Sequence, residues 1–414
     1  MPTIEPQFII PFAKPSGMTS FTSLWQVKRA LGTKKVGHTG TLDRFADGLL
    51  VLLSGKLTKL VPYITDFDKT YRVLFYFGKE TDTLDPEGTV IVEKPLPTYP
   101  DFIAAIQQLT GTIEQVPPVY SAVKQAGERL SDKIRRGEAV TAPPRTITIY
   151  SIDIEEVFYA PEADTAGSSF PKNWLETGVK KSETDVAAVR TAQNVFGAEK
   201  STASAAVRMA QTVQGAILCV RCSKGTYIRS LVRDIAHRCG SAAYVYALRR
   251  TAVGPFTLEQ AAGFSTLPPF GSAAAYAVDT DSTTALSGYA DLNDARREGE
   301  DVKSNPASER LPITENMTAT VTEEEVKRAA LPLSEEIARA MHFQTAALQE
   351  KYYPAFMNGK PLSGHWFTGV QPLSDGGTIA VFYKGCCAGL ITKNGNRFHY
   401  QIVFNRGSAN ASDA

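Results

Sequence analysis

Apolar residues recur at two spacings along the chain, and each spacing predicts an element. Ile228, Leu231, Val232, Ile235, Ala236 and Cys239 fall at i, i+3, i+4, i+7, i+8 and i+11, the stripe of an amphipathic helix. A helix is also predicted over 20–31, with Ser20 as N-cap, Phe21, Leu24, Trp25 and Leu31 as apolar stripe, and Gly32 as stop. Phe102, Ile106 and Leu109 mark a shorter helix closed by Gly111. The unbroken run Leu49–Leu53 reads as a buried strand. TYRVLFYF (70–77), Thr146–Ile154 and AILCVRC (216–222) also read as strands, being rich in β-branched and apolar types. Residues 333–349 look helical. Residues 377–404 return to short strands with glycine turns, and Asn394-Gly395 is a hairpin signal. Helices and strands mix without a steady βαβ alternation, which predicts an α+β fold with a mixed, mainly antiparallel sheet.

Two stretches lack any such period. Residues 160–212 are rich in Ala, Ser and Thr, and residues 271–332 are polar and acidic. The predicted organisation is therefore a larger domain over 1–270 with an insert at 160–212, an acidic linker or insert over 271–332, and a small β-rich domain over 333–414. The 414 residues carry a net charge of only +1, which hides local blocks. Residues 14–80 hold eleven Lys/Arg against five Asp/Glu, and 221–250 hold seven against one, whereas 271–340 hold seven against fourteen. Concentrated positive charge steers a polyanion even when the total is neutral. Five cysteines, an odd number, argue against a disulfide framework and for a reducing compartment. No apolar run approaches the ~20 residues of a membrane span, and no secretory leader is expected, so the sequence reads as soluble and cytoplasmic.

The segment KVGHTGTLDRFADG (35–48) has neither period. Gly37, Gly40 and Gly48 bracket small polar residues, as in a loop that approaches something closely or needs positive φ. Asp43 within it is a candidate catalytic carboxylate, and equally a turn or capping residue. Arg229 and Arg233 lie beside the apolar stripe of their helix, where a solvated face is the alternative. Tyr71 opens a strand and Tyr227 precedes the basic helix, and packing explains either ring as well as a ligand would. The five histidines form no ligand spacing, and Cys219 and Cys222 point to opposite strand faces, so no metal is expected. No phosphate-loop, dinucleotide or G-x-S-x-G pattern is present, and no nucleotide cofactor is implied.

Taken in order, these segments resemble the TruB-type tRNA pseudouridine synthases. GHTGTLDRFADGLL (37–50) is similar to the family's G-H-T-G-x-L-D-P-x-A-[TS]-G-L-L. KPSGMTS (14–20), KTYRVLFYFGKETDTLDPEG (69–88), PPVYSAVKQAGERL (117–130), CSKGTYIRSLVRDI (222–235) and LRRTAVGPFTLEQA (248–261) match five further motifs collinearly. The resemblance implies the pseudouridine synthase fold, a mixed sheet with a central cleft. It also implies a monomeric enzyme that isomerises uridine at position 55 in the T-loop of tRNA, without cofactor.

Residue by residue, the resemblance places Asp43 as catalytic aspartate, Arg229 as its arginine partner, and Tyr71 as the ring that stacks on the target base and the candidate for proton removal. Tyr227 and Leu248 would line the pocket, His38 would fill the space left by flipped nucleotides, and Lys14 and Lys59 would belong to a basic RNA-facing surface. The C-terminal segment weakly resembles a PUA-like RNA-binding domain. Three departures stand out. Arg44 replaces the usual Pro, Asp47 replaces Thr or Ser, and Ser131-Asp132 replaces Tyr-Glu. Arg44 and Asp47 could offset each other or pair. They also motivate a second reading, a tRNA-folding chaperone that has lost catalysis; a third reading is the same chemistry on another RNA with a T-loop-like hairpin.

Overall fold

A computed structural model of the chain describes residues 6–120, 124–125, 128–129, 136, 142–160, 211–271, 321–368 and 375–404. Nine strands form the main sheet: β1 (Ile9–Lys14), β2 (Val36–His38), β3 (Asp47–Ser54), β4 (Lys69–Phe77), β5 (Gly111–Gln115), β6 (Arg145–Tyr159), β7 (Val213–Cys222), β8 (Ala243–Val253) and the short Phe256–Thr257. The order is β1-β3-β8-β4-β7-β6-β5, with β2 paired to the end of β3. Every pairing is antiparallel except β3 with β8, which is parallel at Asp47↔Arg249 and Gly48↔Arg250. The sheet is thus mixed and mainly antiparallel, as the segment pattern predicts.

Alternation along β4 sends Tyr71, Val73, Phe75 and Phe77 to one face and Leu74 and Tyr76 to the other. The first face is covered by two helices, α2 (Tyr99–Gln108) and α3 (Ile228–Arg238), through Phe102, Ile106, Leu231, Val232 and Ile235. The stripe read from the sequence of α3 is the face it buries.

The helix α1 (Ser20–Ala30) exists, but its cap and its buried face differ from expectation. Thr19 is the N-cap, its hydroxyl accepting from the Thr22 N–H at 3.0 Å, and Ser20 is the first helical residue. Leu24, Val27 and Ala30 carry the packing against β1 and β3, while Phe21 and Trp25 face outward. The small residues Ser20, Ser23 and Ala30 share the buried face with Leu24 and Val27, so the bulkiest rings are not the buried ones.

The linker predicted over 271–332 is shorter at its far end. A helix, α4 (Glu323–Ala329), is capped by a reciprocal Thr322–Glu325 box, and Val321, Val326 and Ala330 pack against α1 and β1. Leu331 and Ile9 exchange backbone hydrogen bonds of 2.8 Å. The acidic run 323–325 masks these apolar positions in composition. Residues 272–320 lie outside the described residues, as do 161–210 of the other insert and Ser131-Asp132. At the base of that insert the Ala160 N–H donates to the Thr212 carbonyl at 3.0 Å, closing the β6–β7 hairpin.

The helix predicted over 333–349 is half strand. α5 (Glu335–Ala340) ends at a turn in which His342 takes φ 60°, and the chain continues as β9 (Gln344–Leu348). β10 (Phe367–Thr368), β11 (Thr378–Tyr383), β12 (Cys386–Asn394) and β13 (Arg397–Val403) complete a five-stranded sheet in the order β10-β9-β11-β12-β13. One face holds its own core of Tyr353, Phe356, Trp366, Val381 and Ile391. The other, through Ala380, Phe382 and Leu390, joins one hydrophobic cluster with Leu333, Ile337 and Phe343 and with Ile9, Leu49 and Val51 of the main sheet. No helix among the described residues is long and apolar enough to cross a membrane.

Candidate active site

The loop 39–46 joins β2 to β3 and carries Asp43. Its backbone is held carbonyl by carbonyl. Arg250 reaches up from β8 to the carbonyls of Gly40 and Thr41, at 3.3 and 3.5 Å, and to that of Leu49 at 2.8 Å. The Ser20 hydroxyl donates to the Leu42 carbonyl at 3.1 Å and accepts from the Leu42 N–H at 2.9 Å. The Ser16 hydroxyl donates to Phe45 at 2.7 Å, and the Gly17 N–H to Arg44 at 2.8 Å. Gly48 takes φ 108° where the loop enters β3, and a Cβ there would run into the Arg250 backbone.

Lys14 completes the loop's support, and this corrects its placement on an RNA-facing surface. It is 0% exposed, and its ammonium donates to the carbonyls of Ala46 (2.6 Å), Met18 (2.7 Å), Pro15 (3.0 Å) and Arg44 (3.4 Å). Burial pulls it from 10.5 down to about 7, although the Asp47 and Asp43 carboxylates pull the other way. Lysine on an exposed-looking KPSG turn carries no sequence signal of burial. Lys59 is exposed, on the short helical segment Gly55–Leu60 after β3.

Arg229 lies in the first turn of α3 and points back under the loop. Its Nε contacts Asp43 Oδ2 at 2.9 Å and its Nη2 donates to Asp43 Oδ1 at 3.2 Å, a side-on fork. Nη2 also donates to the Tyr120 carbonyl at 3.1 Å. Nη1 donates to the Thr83 carbonyl at 2.7 Å and to Asp85 Oδ2 at 3.0 Å. All five guanidinium donors therefore have acceptors. The Arg229 and Asp85 side chains are 6% and 7% exposed, whereas that of Asp43 is 38% exposed. Of the three charged groups only Asp43 opens to solvent. Burial raises the pKa of Asp85, with Thr83 and Arg229 opposing it.

Tyr71 and Arg250 are register partners on β4 and β8. Burial raises the Tyr71 pKa, which keeps its phenol protonated near neutrality. Leu248 packs in the same cluster as Tyr71, Leu42 and Phe45, beneath the loop. Tyr227 caps α3, its N–H and carbonyl both clamped by the Gln115 amide at 2.9 and 3.1 Å. His38, on β2, is half-buried, and burial and then Arg250 lower its pKa, favouring the neutral ring. Asp43, Arg229, Tyr71 and Leu248 are brought together, while Lys59 sits apart from them.

Asp47 and Arg44 do not pair with each other. Asp47 is 1% exposed and takes a bidentate contact from Arg249, both distances 2.7 Å. Arg249 also donates to the Pro268 carbonyl at 2.8 Å. Arg44 turns to the surface and donates to the Gly17 carbonyl at 3.1 Å. The parallel β3–β8 register sets Asp47 opposite Arg249, a relation between residues 202 apart that no local spacing reveals. Asp85, Arg249 and Arg250 were not singled out in the sequence. Their signal was the motifs TDTLD and LRR, which carry polar groups into buried positions.

Residues 28–166 match the TruB family pseudouridylate synthase N-terminal domain. A protein named tRNA pseudouridine synthase B from Treponema pallidum is 38% identical over 405 residues, covering 96% of this chain and 98% of its own length. One of the same name from Treponema denticola is 46% identical over 270 residues, 65% of this chain and 66% of its own. Among solved structures, a chain of a Cbf5-Nop10-Gar1 complex aligns with TM-score 0.51 at 18% identity, covering 96% of this chain and 85% of that one. A chain of an H/ACA RNP bound to a substrate RNA containing 2'-deoxyuridine also aligns at 0.51, with 17% identity and 97% and 86% coverage. At that identity the likeness concerns the fold, which is that of the pseudouridine synthases.

Proposed function

Because the chain belongs to the TruB family of tRNA pseudouridine synthases, we propose that it isomerises uridine at position 55 in the T-loop of tRNA, as a cytoplasmic monomer without a nucleotide cofactor. The observation that carries this reading is the half-exposed Asp43 carboxylate, forked by a buried arginine whose other donors are all occupied.

The reaction breaks N1–C1′, turns the base, and joins C5 to C1′, and the proton lost from C5 is balanced by one gained at N1. A base in a structured loop must first leave its stack, at a cost of a few kcal/mol. Stacking on Tyr71, about 1–3 kcal/mol per base, offsets part of that. Asp43 supplies a carboxylate to C1′, as nucleophile or as stabiliser of positive charge there. Arg229 and the tied loop hold that carboxylate in place, so little reorganisation is needed when the sugar arrives. Tyr71, His38, Tyr227 and Leu248 shape the space for the extruded base, and the exposed Lys59 belongs to a basic RNA-facing surface away from it. The five-strand C-terminal sheet is read as the PUA-like RNA-binding unit.

Arg44 and Asp47, which motivated the chaperone alternative, are each engaged away from the Asp43–Arg229 fork, and this favours the enzyme. The test is conversion of an unmodified T-stem-loop RNA and its mapping for pseudouridine. Asp43→Ala is expected to lose on the order of 10³-fold or more in rate. No product from the wild type, or undiminished product from Asp43→Ala, would sink the proposal. Tight tRNA binding without product would select the chaperone, and preference for a different hairpin RNA in competition would select the third reading.

A further inference from the structure

We infer that the outer face of α1 is a stacking platform for unpaired nucleobases of the RNA substrate, an inference that rests on the tRNA reading above. Phe21 is 72% and Trp25 57% exposed, while Leu24, Val27 and Ala30 make the buried contacts. Residues four apart on a helix are surface neighbours, so the two rings form one patch. Lys28 Nζ lies 6.0 Å from the centre of the Phe21 ring, and the Arg29 guanidinium carbon 5.6 Å from that of Trp25. A cation over one face of each ring leaves the opposite face to a base and stands ready for the phosphate next to it.

Charge selects the partner. From Pro15 to Leu42 the chain has four Lys/Arg and no Asp or Glu. Arg29, Lys34 and Lys35 are exposed, and Lys28 is half-exposed. An exposed aromatic pair with a cation at each ring fits a single-stranded polyanion better than an apolar protein groove, although the neighbouring α4 carries Glu323–Glu325. The patch is also fixed relative to the proposed chemistry. Ser20 opens α1 and exchanges two hydrogen bonds with Leu42, the residue before Asp43. Bases stacked on α1 would thus lie on the same rigid unit as the carboxylate.

The test is equilibrium binding of an unmodified tRNA transcript at salt between about 50 and 200 mM, where phosphate contacts set the slope. Phe21→Ala/Trp25→Ala removes exposed rings and leaves the core intact, which an unchanged unfolding curve verifies. The expected result is about tenfold or more weaker binding at every salt, with the salt slope unchanged. Trp25→Phe is expected to keep most of the affinity, and Lys28→Gln/Arg29→Gln to flatten the slope. Unchanged tRNA affinity in the double alanine variant overturns the inference. So does unchanged affinity accompanied by loss of a self-association seen by sedimentation, which would make the face a contact between copies. A wild type that binds no tRNA would instead overturn the substrate reading itself.

Discussion

At the scale of single residues, the site rests on Arg229, which ties Asp43 to Asp85 and to two backbone carbonyls. Lysine in place of Arg229 keeps the charge but loses the fork, five donors becoming three. Arg229→Lys is therefore expected to slow single-turnover isomerisation by about 10²-fold, with tRNA affinity changed far less. A rate within reach of the wild type would show that the fork does not position Asp43. Tyr71→Phe separates the two proposed roles of that ring. Stacking survives and the hydroxyl goes, so binding should persist while the rate falls; an unaltered rate would free the hydroxyl of any proton transfer. The Asp47–Arg249 pair makes a different kind of prediction. Removing one partner of a buried pair leaves an uncompensated charge, worth about 3–5 kcal/mol. Asp47→Ser should lower unfolding stability accordingly, and Asp47→Ser/Arg249→Met should recover much of it. Asp43 and Arg229 were legible in the sequence because motif and chemistry agreed. Asp47 was not, because its partner is chosen by strand register, and Lys14 misled because charge normally marks surface.

At the scale of elements, amphipathic spacing served α3 and β4 well, since each buries a full face against one neighbour. It failed on α1 and on residues 333–349. The buried face of α1 combines small residues with Leu24 and Val27, and the backbone reversal at His342 divides a run that looks uniformly helical. The loop of Asp43 belongs to this scale too, because Lys14, Ser16, Ser20 and Arg250 hold it from three different elements. Its lysine tie gives a pH signature. Between about 7 and 10.5 the unfolded chain holds the Lys14 proton and the folded chain releases it. The stability this group contributes thus rises with pH across that window and is lost as pH falls through about 7. Denaturant unfolding of wild type and Lys14→Met, compared at several pH values, should show the difference moving in favour of the wild type as pH rises. A constant difference would contradict the buried titration.

At the scale of the whole molecule, positive charge is gathered in blocks while the total stays near zero. Each phosphate neutralised contributes a slope of about −0.9 in log affinity against log salt for duplex, and about −0.7 for single strands. Binding of tRNA is expected to weaken steeply from low to physiological salt, and an affinity indifferent to salt would contradict a basic RNA face. The linker's true extent was hidden from composition, since α4 returns to the first sheet behind an acidic run. The Ala160–Thr212 bond has a consequence of its own. A chain that leaves and re-enters the sheet through two hydrogen-bonded neighbours imposes no span on what lies between them. Whatever is written there can lengthen, shorten or change its content while the strand register on either side stays the same.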